Sequence, residues 1–597
     1  MCRILGFWGS KSISVDMMHR AALKQIKGGP DEQSLKIGNG FGLSNNRLAI
    51  QGVDKGSQPF TLQGVHAVYN GEIYNHIELK KMLRTYGYSF HDICDGSVIL
   101  PLYELFGDLF VEHLDGMFAI ALVDETQKKL ILVSDPNAVK SLYYYYSASD
   151  DMLYFASELD ALFTFPIKKE LRHEAVHEYL VGRAIWHDKT FFHDVYTLGT
   201  RSLLIKQANQ HPILKKYNAM GVSHHYGVSS EHSLLTLSHQ FDTLFDKEIE
   251  RMLLTDVPVC LVTSGGLDSS YVTALASKHR DNLECFHVAY EGKWPFDEQH
   301  FARAVADHCH VKFNTVMIRE HDFADLLDAT IDTLGQPNTA PHALSTYALF
   351  KAINQAGFKV ALTGEGADEF FAGYDRFKIA NFNSTNTWLT DYLDVISGTT
   401  ADLRNFAYTA DYKALFNQRA FLDQTERMIQ EQIGLLNSRL KALLAFDQDE
   451  RFPSYILRRV DHLSMANSVE VRVPFCQPGV TAFARSLPEN CLLDDHSVKK
   501  IIYNAAKNKL PESVLARPKQ PFTLPIVAML TKGHLLFNIV QDTLHSQSFR
   551  ERNVFDHGKM VALLTRQQDS PNAHVANFLW SVMVLERWLQ RNKLNFN

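Results

Sequence analysis

The chain has 597 residues, 46% of them hydrophobic and 21% charged, and a formal net charge of −7 at pH 7. A chain of this length is too long to fold around a single hydrophobic core, so two or three domains of roughly 100–200 residues are expected. The acidic balance argues against a nucleic-acid binder, and no apolar stretch approaches the roughly 20 residues that cross a bilayer. Seven scattered cysteines without a CxxC pair indicate the reduced thiols of a cytoplasmic protein, with neither a disulfide framework nor a cysteine zinc site.

Short strand-like runs separated by turn residues dominate residues 1–160, and one helical pattern, HIELKKMLRTYGY (76–88), interrupts them. This pattern predicts layers of strands with a few helices. The segment 207–232 is polar and weakly periodic. We therefore expect a linker there, between an N-terminal domain (2–206) and a C-terminal domain (233–597).

The pattern changes after the linker, where apolar strands alternate with helices. VPVCLVT and LECFHVAYE read as buried strands, and YVTALASKH between them reads as a helix. Such alternation predicts a parallel sheet covered by helices on both faces. KVALT is one more strand of this kind, and the chain beyond about residue 375 is predicted to be mostly helical.

The most specific stretch of the sequence is SGGLDSS, between a predicted strand and a predicted helix. It contains Ser264, Gly265, Gly266, Asp268, Ser269 and Ser270. Glycines let the backbone approach a ligand, and the free N–H groups of a helix start bind phosphate. Asp268 is suited to hold Mg²⁺. The spacing is not that of a Walker loop; it resembles the SGGxDS loop of the ATP pyrophosphatases, which implies cleavage of ATP to AMP and pyrophosphate.

A second loop, GEGADE, follows the strand KVALT and carries Gly364, Glu365 and Asp368. Both loops follow parallel strands, so they are expected at the carboxyl edge where open α/β sheets bind ligands. Asp368 can then share Mg²⁺ with Asp268, because the metal and the triphosphate offset the charge of two carboxylates. The alternative is a solvated acidic turn.

Cys2 precedes a short apolar run, and by itself it is an ordinary residue. MC, NNRLAI, SQPF, YNGEIYNH and CDGSVIL together resemble class II glutamine amidotransferases of the N-terminal-nucleophile type over about the first 200 residues. The resemblance implies that Met1 is removed and that Cys2 attacks the glutamine amide, with its own α-amino group as the base. An α-amine pKa near ~8 and a thiol pKa near ~8.5 suit these roles.

The same resemblance assigns the remaining residues of a glutaminase site. Asn70 and Gly71 would form the oxyanion hole, through a side-chain amide and a backbone N–H. Arg47, Glu72 and Asp95, together with Asn70, would bind glutamine, whose charged α-carboxylate and α-amine suit charged partners.

The two halves together resemble the glutamine-hydrolysing asparagine synthetases over nearly the whole chain, including YILRRVDHLSMANSVEVRVPF (455–475). The resemblance implies a multi-domain α/β protein. A four-layer α-β-β-α Ntn-hydrolase domain would precede a doubly wound parallel-sheet ATP pyrophosphatase domain with a helical extension. It also implies a small carboxylate substrate beside glutamine and ATP, and a homodimer, as is common in the family.

The implied reaction joins a carboxylate, activated as an acyl-adenylate, to ammonia released from glutamine. Lys499 falls where the family has a lysine that contacts the phosphate or the adenylate, with the adjacent Lys500 as the alternative. Arg517 and Lys519 match basic positions of the family. Glu365 is the candidate base for the incoming amine, or else a residue around the metal. The acceptor expected first is aspartate, which would become asparagine.

Three departures from the family pattern bear on activity. HRGPD has lost its arginine at Gly28, and RDxxGIKPLYY has lost its first arginine at Ser134, which leaves the efficiency of the glutaminase open. Asn338 and Thr339 stand where aspartate-using members have two threonines, and Pro341 stands where they have an arginine. An uncharged ring cannot pair with a second carboxylate, so a uronic-acid sugar or a natural-product intermediate is the alternative acceptor.

Two rival interpretations belong to other classes of protein. HEAVH (173–177) fits the HExxH signature of zinc hydrolases, but no third ligand is evident and the segment is predicted to be an ordinary amphipathic helix. A degenerate, partner-binding scaffold would explain the lost arginines. The intact Cys2, Asp268 and Asp368 argue against it.

Overall fold

Two antiparallel sheets in the N-terminal half and one parallel sheet in the C-terminal half organise the computed structural model of this chain. The structure describes residues 2–219, 233–292, 294, 297–517 and 524–596. Within these residues no helix is long and apolar enough to cross a membrane.

The N-terminal half builds two stacked sheets. Its described strands are β1 (Cys2–Gly9), β2 (Glu32–Gly38), β3 (Phe41–Arg47), β4 (Phe60–Leu62), β5 (Val65–Ile73), β6 (Gly116–Asp124), β7 (Lys129–Ser134), β8 (Tyr143–Ser147), β9 (Met152–Ala156), β10 (Val195–Thr197), β11 (Ser202–Gln207) and β12 (Ile213–Lys216). The first sheet has the order β10-β8-β9-β1-β3-β2, and the second has the order β12-β11-β7-β6-β5-β4.

Helices cover the outer faces of both sheets. They are α1 (Val15–Lys24), α2 (His76–Thr85), α3 (Ile99–Phe106), α4 (Leu159–Leu162) and α5 (Glu174–Gly182), with 3₁₀ turns at Ile26–Gly28, Asp95–Val98 and Gly107–His113. Phe118 and Ile120 of β6 pack with α2 and α3, while Ala119 and Ala121 pack against the first sheet. Because successive side chains of a strand point to opposite faces, a strand buried on both sides reads as one apolar run. The helices α1 and α4 pack on the far face of the first sheet, which confirms the predicted four layers.

The N-terminal sheet extends past the predicted domain boundary at residue 206. β12 pairs antiparallel with β11, although it lies inside the segment 207–232 that was expected to be a linker. Its side chains are exposed, so no apolar alternation marks it in the sequence, and pairing of the backbone holds it at the sheet edge. Residues 220–232 of the expected linker lie outside the described residues, and the division into two domains remains a prediction.

The C-terminal half contains the parallel sheet that the sequence predicts. Its strands are β13 (Val259–Val262), β14 (Glu284–Tyr290), β15 (Lys312–Ile318), β16 (Val360–Leu362) and β17 (Glu470–Arg472), in the order β15-β14-β13-β16-β17. Every neighbouring pair runs parallel. The helix α6 (Leu234–Met252) precedes the first of these strands. The helices between β13 and β16 are α7 (Leu267–His279), α8 (Gln299–His308), α9 (Phe323–Leu334) and α10 (Ala343–Gln355), with a 3₁₀ turn at Glu320–Asp322.

The rest of the chain is helical, as expected. The helices are α11 (Ala367–Phe370), α12 (Asp375–Phe382), α13 (Trp388–Ile396), α14 (Ala401–Ala407), α15 (Ala410–Ala414), α16 (Ala420–Leu436), α17 (Arg439–Phe446), α18 (Arg458–Met465), α19 (Pro478–Ser486), α20 (Glu489–Leu492), α21 (Lys500–Ala506), α22 (Glu512–Leu515), α23 (Ile526–Met529), α24 (Leu535–His545), α25 (Gln547–Glu551), α26 (His557–Asp569) and α27 (Ala573–Arg591). A π-helix, Asp447–Leu457, joins α17 to α18, and a 3₁₀ turn spans Pro474–Cys476.

A buried ionic cluster joins the two halves. Asp461 of α18 lies 2.8 Å from Nη1 of Arg3 and 2.9 Å from Nζ of Lys140. Arg3 also pairs with Glu158, with Nε and Oε1 2.9 Å apart. The two cations hold the pKa of Asp461 well below its usual range although burial acts in the opposite direction.

Candidate active sites

Cys2 begins β1 and is buried, with 5% of its surface exposed. Its backbone nitrogen donates a hydrogen bond to Oδ1 of Asn70 at 3.1 Å. The amide of Gln58 donates to the Cys2 sulfur at 3.6 Å. Burial raises the pKa of the Cys2 thiol, so a nearby base is needed to generate the thiolate at neutral pH.

Asn70 and Gly71 lie on β5, beside the start of β1. Nδ2 of Asn70 is buried and donates no hydrogen bond within the described residues. A Cβ atom at Gly71 would lie 2.1 Å from the carbonyl oxygen of Met117, so only glycine fits between β5 and β6. The structure thus places a spare amide donor on the residue that is hydrogen-bonded to the Cys2 backbone, which suits an oxyanion hole.

Three of the four predicted glutamine-binding residues line one cavity, and the fourth, Asn70, is not part of its lining. Its lining includes Cys2, Arg47, Gln58, Gly71, Glu72 and Asp95. Asp95 accepts a hydrogen bond from the backbone of Ile73 at 2.7 Å and another from the hydroxyl of Tyr69. Arg47 donates to the carbonyl oxygen of Gly52 at 2.7 Å, which orients its guanidinium.

Glu72 is the most strongly perturbed acid of this cavity. Burial and the charge of Asp95 raise its pKa well above the ordinary range, while Arg472 opposes that shift. Its Oε1 accepts no hydrogen bond within the described residues. A buried acceptor of this kind suits an ammonium group that arrives with the substrate. Gln58, which comes from the SQPF motif, was not among the predicted site residues.

The loop between β13 and α7 has the geometry of a phosphate cradle. Gly265 adopts a φ of +75°, and a Cβ atom there would lie 2.5 Å from the nitrogen of Ala302. Ser264 Oγ accepts a hydrogen bond from the nitrogen of Gly266 at 3.2 Å and lies 3.0 Å from Ser269 Oγ. Ser270 Oγ is buried and has no hydrogen-bond partner within the described residues, so it is available to a ligand.

The second loop meets the first at the carboxyl edge of the sheet, as predicted. β16 pairs with β13, and Gly364 follows β16. A Cβ atom at Gly364 would lie 2.8 Å from the nitrogen of Ser269, so the two loops are in direct contact. Oε2 of Glu365 is buried and accepts no hydrogen bond within the described residues.

Lys499 bridges the two predicted metal ligands. Its ammonium nitrogen lies 2.5 Å from Asp268 Oδ2 and 2.6 Å from Asp368 Oδ1. Burial alone would lower the pKa of Lys499, but the two carboxylates raise it above its ordinary value. The neighbouring Lys500 instead pairs with Asp494 at 2.7 Å.

The carboxylates of Asp268 and Asp368 fit Mg²⁺ by the chemistry of their oxygen donors. Among the described residues no three His, Cys, Asp or Glu side chains are grouped to hold a metal ion. Mg²⁺ is commonly bound by one or two carboxylates, with substrate phosphates and water completing its shell. The pair therefore suits a metal that arrives with ATP.

Arg517 stabilises the loop between β13 and α7 by a hydrogen bond to its backbone. Its Nη1 donates to the carbonyl oxygen of Gly265 at 2.9 Å, and its Nη2 pairs with Glu298. The partner Glu298 was not predicted. Lys519, the other predicted basic residue, lies outside the described residues.

Comparison with known proteins decides the family. Residues 240–590 match the family model for asparagine synthase, and residues 1–218 match the model for a glutamine amidotransferase domain. The chain belongs to the asparagine synthase family. The resemblance inferred from its motifs is thereby confirmed, and this family member is an ATP-dependent ligase with a glutamine amidotransferase domain.

Relatives of this asparagine synthase family member align over most of its length. It is 24% identical to asparagine synthetase [glutamine-hydrolyzing] 1 of Bacillus subtilis, over 98% of this chain and 96% of the relative. Asparagine synthetase [glutamine-hydrolyzing] 3 of the same organism is 27% identical over 89% of this chain and 88% of its own. A solved glutamine phosphoribosylpyrophosphate amidotransferase of B. subtilis gives a TM-score of 0.27 at 13% identity, covering 53% of this chain and 66% of that chain.

The arginine that this family member lacks at position 28 is replaced in space by Arg3. A Cβ atom at Gly28 would lie 2.5 Å from Cγ and 2.8 Å from Nε of Arg3. Arg3 is fully buried and occupies the volume that a side chain at position 28 would need. The guanidinium of Arg3 pairs with Glu158 and Asp461 and does not line the glutamine cavity. A comparison of single positions in the sequence does not reveal this exchange.

Ser134, the second position without its arginine, is a buried hydrogen-bonding residue. Its hydroxyl donates to the carbonyl oxygen of Gly199 and accepts from the nitrogen of Ser202 at 3.0 Å. It thereby fastens β7 to the start of β11.

The segment that replaces the threonine pair is held by its own hydrogen bonds. Nδ2 of Asn338 donates to the carbonyl oxygen of Tyr455 at 3.0 Å, and its Oδ1 accepts from the nitrogen of Ala340 at 3.0 Å. Thr339 donates its N–H to the carbonyl oxygen of Arg183 at 2.9 Å. These contacts fix the residues before Pro341 against the π-helix and Arg183, and the proline contributes no charge.

The HExxH segment lies on α5, within the hydrophobic core. His177 is buried, with Nδ1 3.2 Å from the hydroxyl of Tyr408. Burial lowers its pKa to about 4. His173 instead stacks on the ring of Phe596 at 5.6 Å, so the two histidines have different surroundings. The helix is not the amphipathic element that was predicted, because every residue from Ala175 to Gly182 is buried.

Proposed function

We propose that this enzyme converts aspartate to asparagine, with glutamine as the nitrogen donor and ATP cleaved to AMP and pyrophosphate. One observation carries the proposal. Lys499 lies between Asp268 and Asp368 beside a phosphate cradle, in the same chain as a cavity that contains Cys2 and the acid Glu72. A charge-stabilised phosphate site in the same chain as a thiol pocket suits coupled nitrogen transfer.

In the glutaminase half, the Cys2 thiolate would attack the side-chain carbonyl of glutamine. The α-amino group left after removal of Met1 would take the thiol proton and pass it to the leaving ammonia. Nδ2 of Asn70 and the N–H of Gly71 would bind the oxyanion. Water would then release glutamate from the thioester and regenerate the thiol.

In the synthetase half, an acceptor carboxylate oxygen would attack the α-phosphorus of ATP and expel pyrophosphate. The cradle of Ser264, Ser269 and Ser270 would bind the departing phosphates. Asp268 and Asp368 would hold Mg²⁺, which would supply positive charge to the pyrophosphate. Lys499, which stays protonated between its two acids, would stabilise the negative charge of the adenylate.

Ammonia would then attack the acyl carbonyl, with Glu365 taking the extra proton and AMP leaving. We propose that ammonia passes between the two sites inside the protein, near a residue that contacts both halves. Arg472, at the end of β17, lies 3.7 Å from Glu72 of the glutamine cavity and 2.6 Å from Glu470. β17 pairs with β16, which leads into the loop of Glu365.

A second acceptor is favoured by one observation. Pro341 stands in place of the arginine that suits aspartate, and it carries no charge. The same reaction on a uronic-acid sugar or a natural-product intermediate would tolerate that loss. We also infer a cytoplasmic enzyme, consistent with seven unpaired cysteines, and we retain the homodimer as a prediction.

The test is pyrophosphate release by the purified protein with ATP, Mg²⁺ and glutamine, with and without aspartate. Aspartate-dependent pyrophosphate together with asparagine would support the proposal. If aspartate does nothing while ATP binds, the acceptor is another carboxylate.

Replacing Cys2 by alanine separates the two halves of the reaction. Cys2→Ala should abolish glutamine-dependent product, because the thiol forms the acyl intermediate. Product formation from ammonium chloride should remain within about twofold of the unmodified enzyme, since the phosphate site is untouched. Product is quantified from each nitrogen source. Loss of both activities would contradict this division of labour.

A further inference from the structure

A buried arginine cluster beside the acceptor segment has no part in the reaction described above. Arg451, Tyr455 and Arg459 follow at intervals of four along the π-helix and α18, so they share one face. The guanidinium carbons of Arg451 and Arg459 lie 5.3 Å and 5.4 Å from the ring centre of Tyr455. π-helical segments recur at functional sites because they re-aim side chains.

The guanidinium groups of this cluster carry more N–H donors than the nearby carboxylates accept. Arg451 and Arg459 are 6% and 5% exposed. Nε and Nη1 of Arg451 and Nε of Arg459 donate no hydrogen bond within the described residues. Asp447 lies 3.5 Å from Arg451, but it also accepts a hydrogen bond from Arg376 at 2.7 Å. Because a buried guanidinium is costly without an anionic partner, the surplus donors suit an anion that enters the site.

The arginine side chains create a positive electrostatic potential at Tyr455. Burial by itself would raise the pKa of Tyr455, yet the nearby guanidinium groups bring it below its ordinary value, with Arg183 contributing most. Arg459 and Arg451 act in the same direction. Burial and these cations lower the pKa of His342 well below its usual range, so His342 adds no charge at neutral pH.

The cluster adjoins both the acceptor segment and the second loop. Asn338 donates to the carbonyl oxygen of Tyr455, and Thr339 donates to that of Arg183. Burial lowers the pKa of Arg459, and the charges of Tyr455 and Glu365 offset part of that shift. Arg459 is therefore within electrostatic reach of the proposed base.

We propose that Arg451 and Arg459, edged by Arg183, form the subsite for a second anionic group of the acceptor. The acceptor is then a dicarboxylate, with one carboxylate activated near Glu365 and the other held by the guanidinium groups. α18 and the π-helix supply the positive charge that Pro341 lacks. Guanidinium forks bind carboxylates through paired hydrogen bonds, and the subsite disfavours acceptors with a single carboxylate. This inference rests on the carboxylate activation proposed above.

Matched ligands test the subsite by titration calorimetry on the whole protein, with Mg²⁺ and a non-hydrolysable ATP analogue present. L-aspartate is compared with β-alanine, and glutarate with butyrate; the second of each pair lacks one carboxylate. At least one dicarboxylate should bind about tenfold or more tightly than its partner, as expected for a buried charge pair. Equal affinities within both pairs, or no dicarboxylate binding, would overturn the proposal.

Variants locate the effect. Arg451→Gln and Arg459→Gln should remove the preference for the dicarboxylate, and Arg459→Lys should keep part of it because the charge remains while the fork is lost. Arg458→Gln is the matched control, since Arg458 donates to Thr197 at 3.2 Å on the glutaminase side. Glutaminase activity confirms that each variant is folded.

The remaining outcomes are also decisive. Weaker binding of the ATP analogue with unchanged dicarboxylate affinity in the variants would assign the cluster to the nucleotide and overturn the proposal. An unchanged dicarboxylate preference in both glutamine variants would overturn it too. If aspartate binds with the expected preference but releases no pyrophosphate in the unmodified enzyme, the subsite stands and the proposed conversion of aspartate is wrong.

Discussion

Cys2 and Lys499 are both buried and both have a raised pKa. The rise favours the neutral form of the thiol but the charged form of the ammonium. Burial raises the pKa of the Cys2 thiol although Asn45 and Arg47 act in the opposite direction, so the neutral form is favoured. Lys499 faces two carboxylates, so its pKa rises as well, but here the charged form is favoured. The thiol therefore depends on a base, whereas the ammonium keeps its charge throughout the working pH range.

Lys499→Met should remove the synthetase activity and spare the glutaminase. Without the ammonium, Asp268 and Asp368 face each other unshielded and the adenylate loses its stabilising charge. The rate of pyrophosphate release should fall by about 10²-fold or more, as for other preorganised charges in active sites. Pyrophosphate and glutamate are measured in parallel.

Lys500→Met is the control for that substitution, because Lys500 pairs with Asp494 away from the phosphate loop. It should change pyrophosphate release by less than about twofold. Equal losses in the two variants would show that the charge of Lys499 has no special role.

At the scale of elements, the turn between α11 and α12 closes over the acidic pair. A Cβ atom at Gly373 would lie 1.9 Å from Asp368 Oδ1 and 2.0 Å from Lys499 Cε. Both atoms belong to the bridge between the carboxylates. The short helix α11 therefore positions Asp368 only when residue 373 has no side chain.

Gly373→Ala should displace Asp368 or Lys499 and reduce pyrophosphate release by about 10²-fold, because small misplacements of catalytic groups are costly. Glutaminase activity should persist. The control is Gly434→Ala on the exposed part of α16, where an added Cβ atom meets no atom within 4 Å. That change should raise stability by up to about 1 kcal/mol. Full synthetase activity in Gly373→Ala would contradict the geometry.

At the scale of the whole molecule, the contacts between the two halves include buried charged and polar groups. His462 lies next to Asp461 on α18, with Nε2 3.3 Å from the hydroxyl of Tyr143 in the N-terminal half. Burial and the charge of Arg3 lower the pKa of His462 to about 3. The folded protein thus holds this histidine neutral.

Acidification should weaken the interface through His462. The unfolded chain takes up a proton below about pH 6.5 and the folded chain does not, so stability is lost as pH falls from 6.5 toward 3, at about 1.4 kcal/mol per pH unit. From pH 7.5 to pH 5, His462→Gln should lose about 2 kcal/mol less unfolding free energy than the unmodified protein. Urea melts at both pH values measure this.

The control is His496→Gln, because the side chain of His496 is 87% exposed. This variant should follow the pH dependence of the unmodified protein. The same pH dependence in His462→Gln would show that the buried histidine does not contribute.

The sequence by itself determined the two sheet types and the elements that carry the loops. Apolar alternation and strand–helix alternation report which faces are buried, and burial is set locally by side-chain type. The loops at Ser264 and Gly364 were predictable for the same reason, since glycine and serine after a buried strand leave few conformations. β12 was not predictable, because its side chains are exposed and only backbone pairing forms it.

Only the tertiary structure decided which side chains meet. The side chain of Arg3 fills the space that a side chain at position 28 would need. The two positions are separated in the chain and meet only in the folded protein. The choice of Lys499 over Lys500 depends on a left-handed residue, with φ of +51°, at the start of α21. Arg183 joins Arg451 and Arg459 around Tyr455 only through packing across elements. Charge and volume are shared in space, so sequence position alone does not assign them.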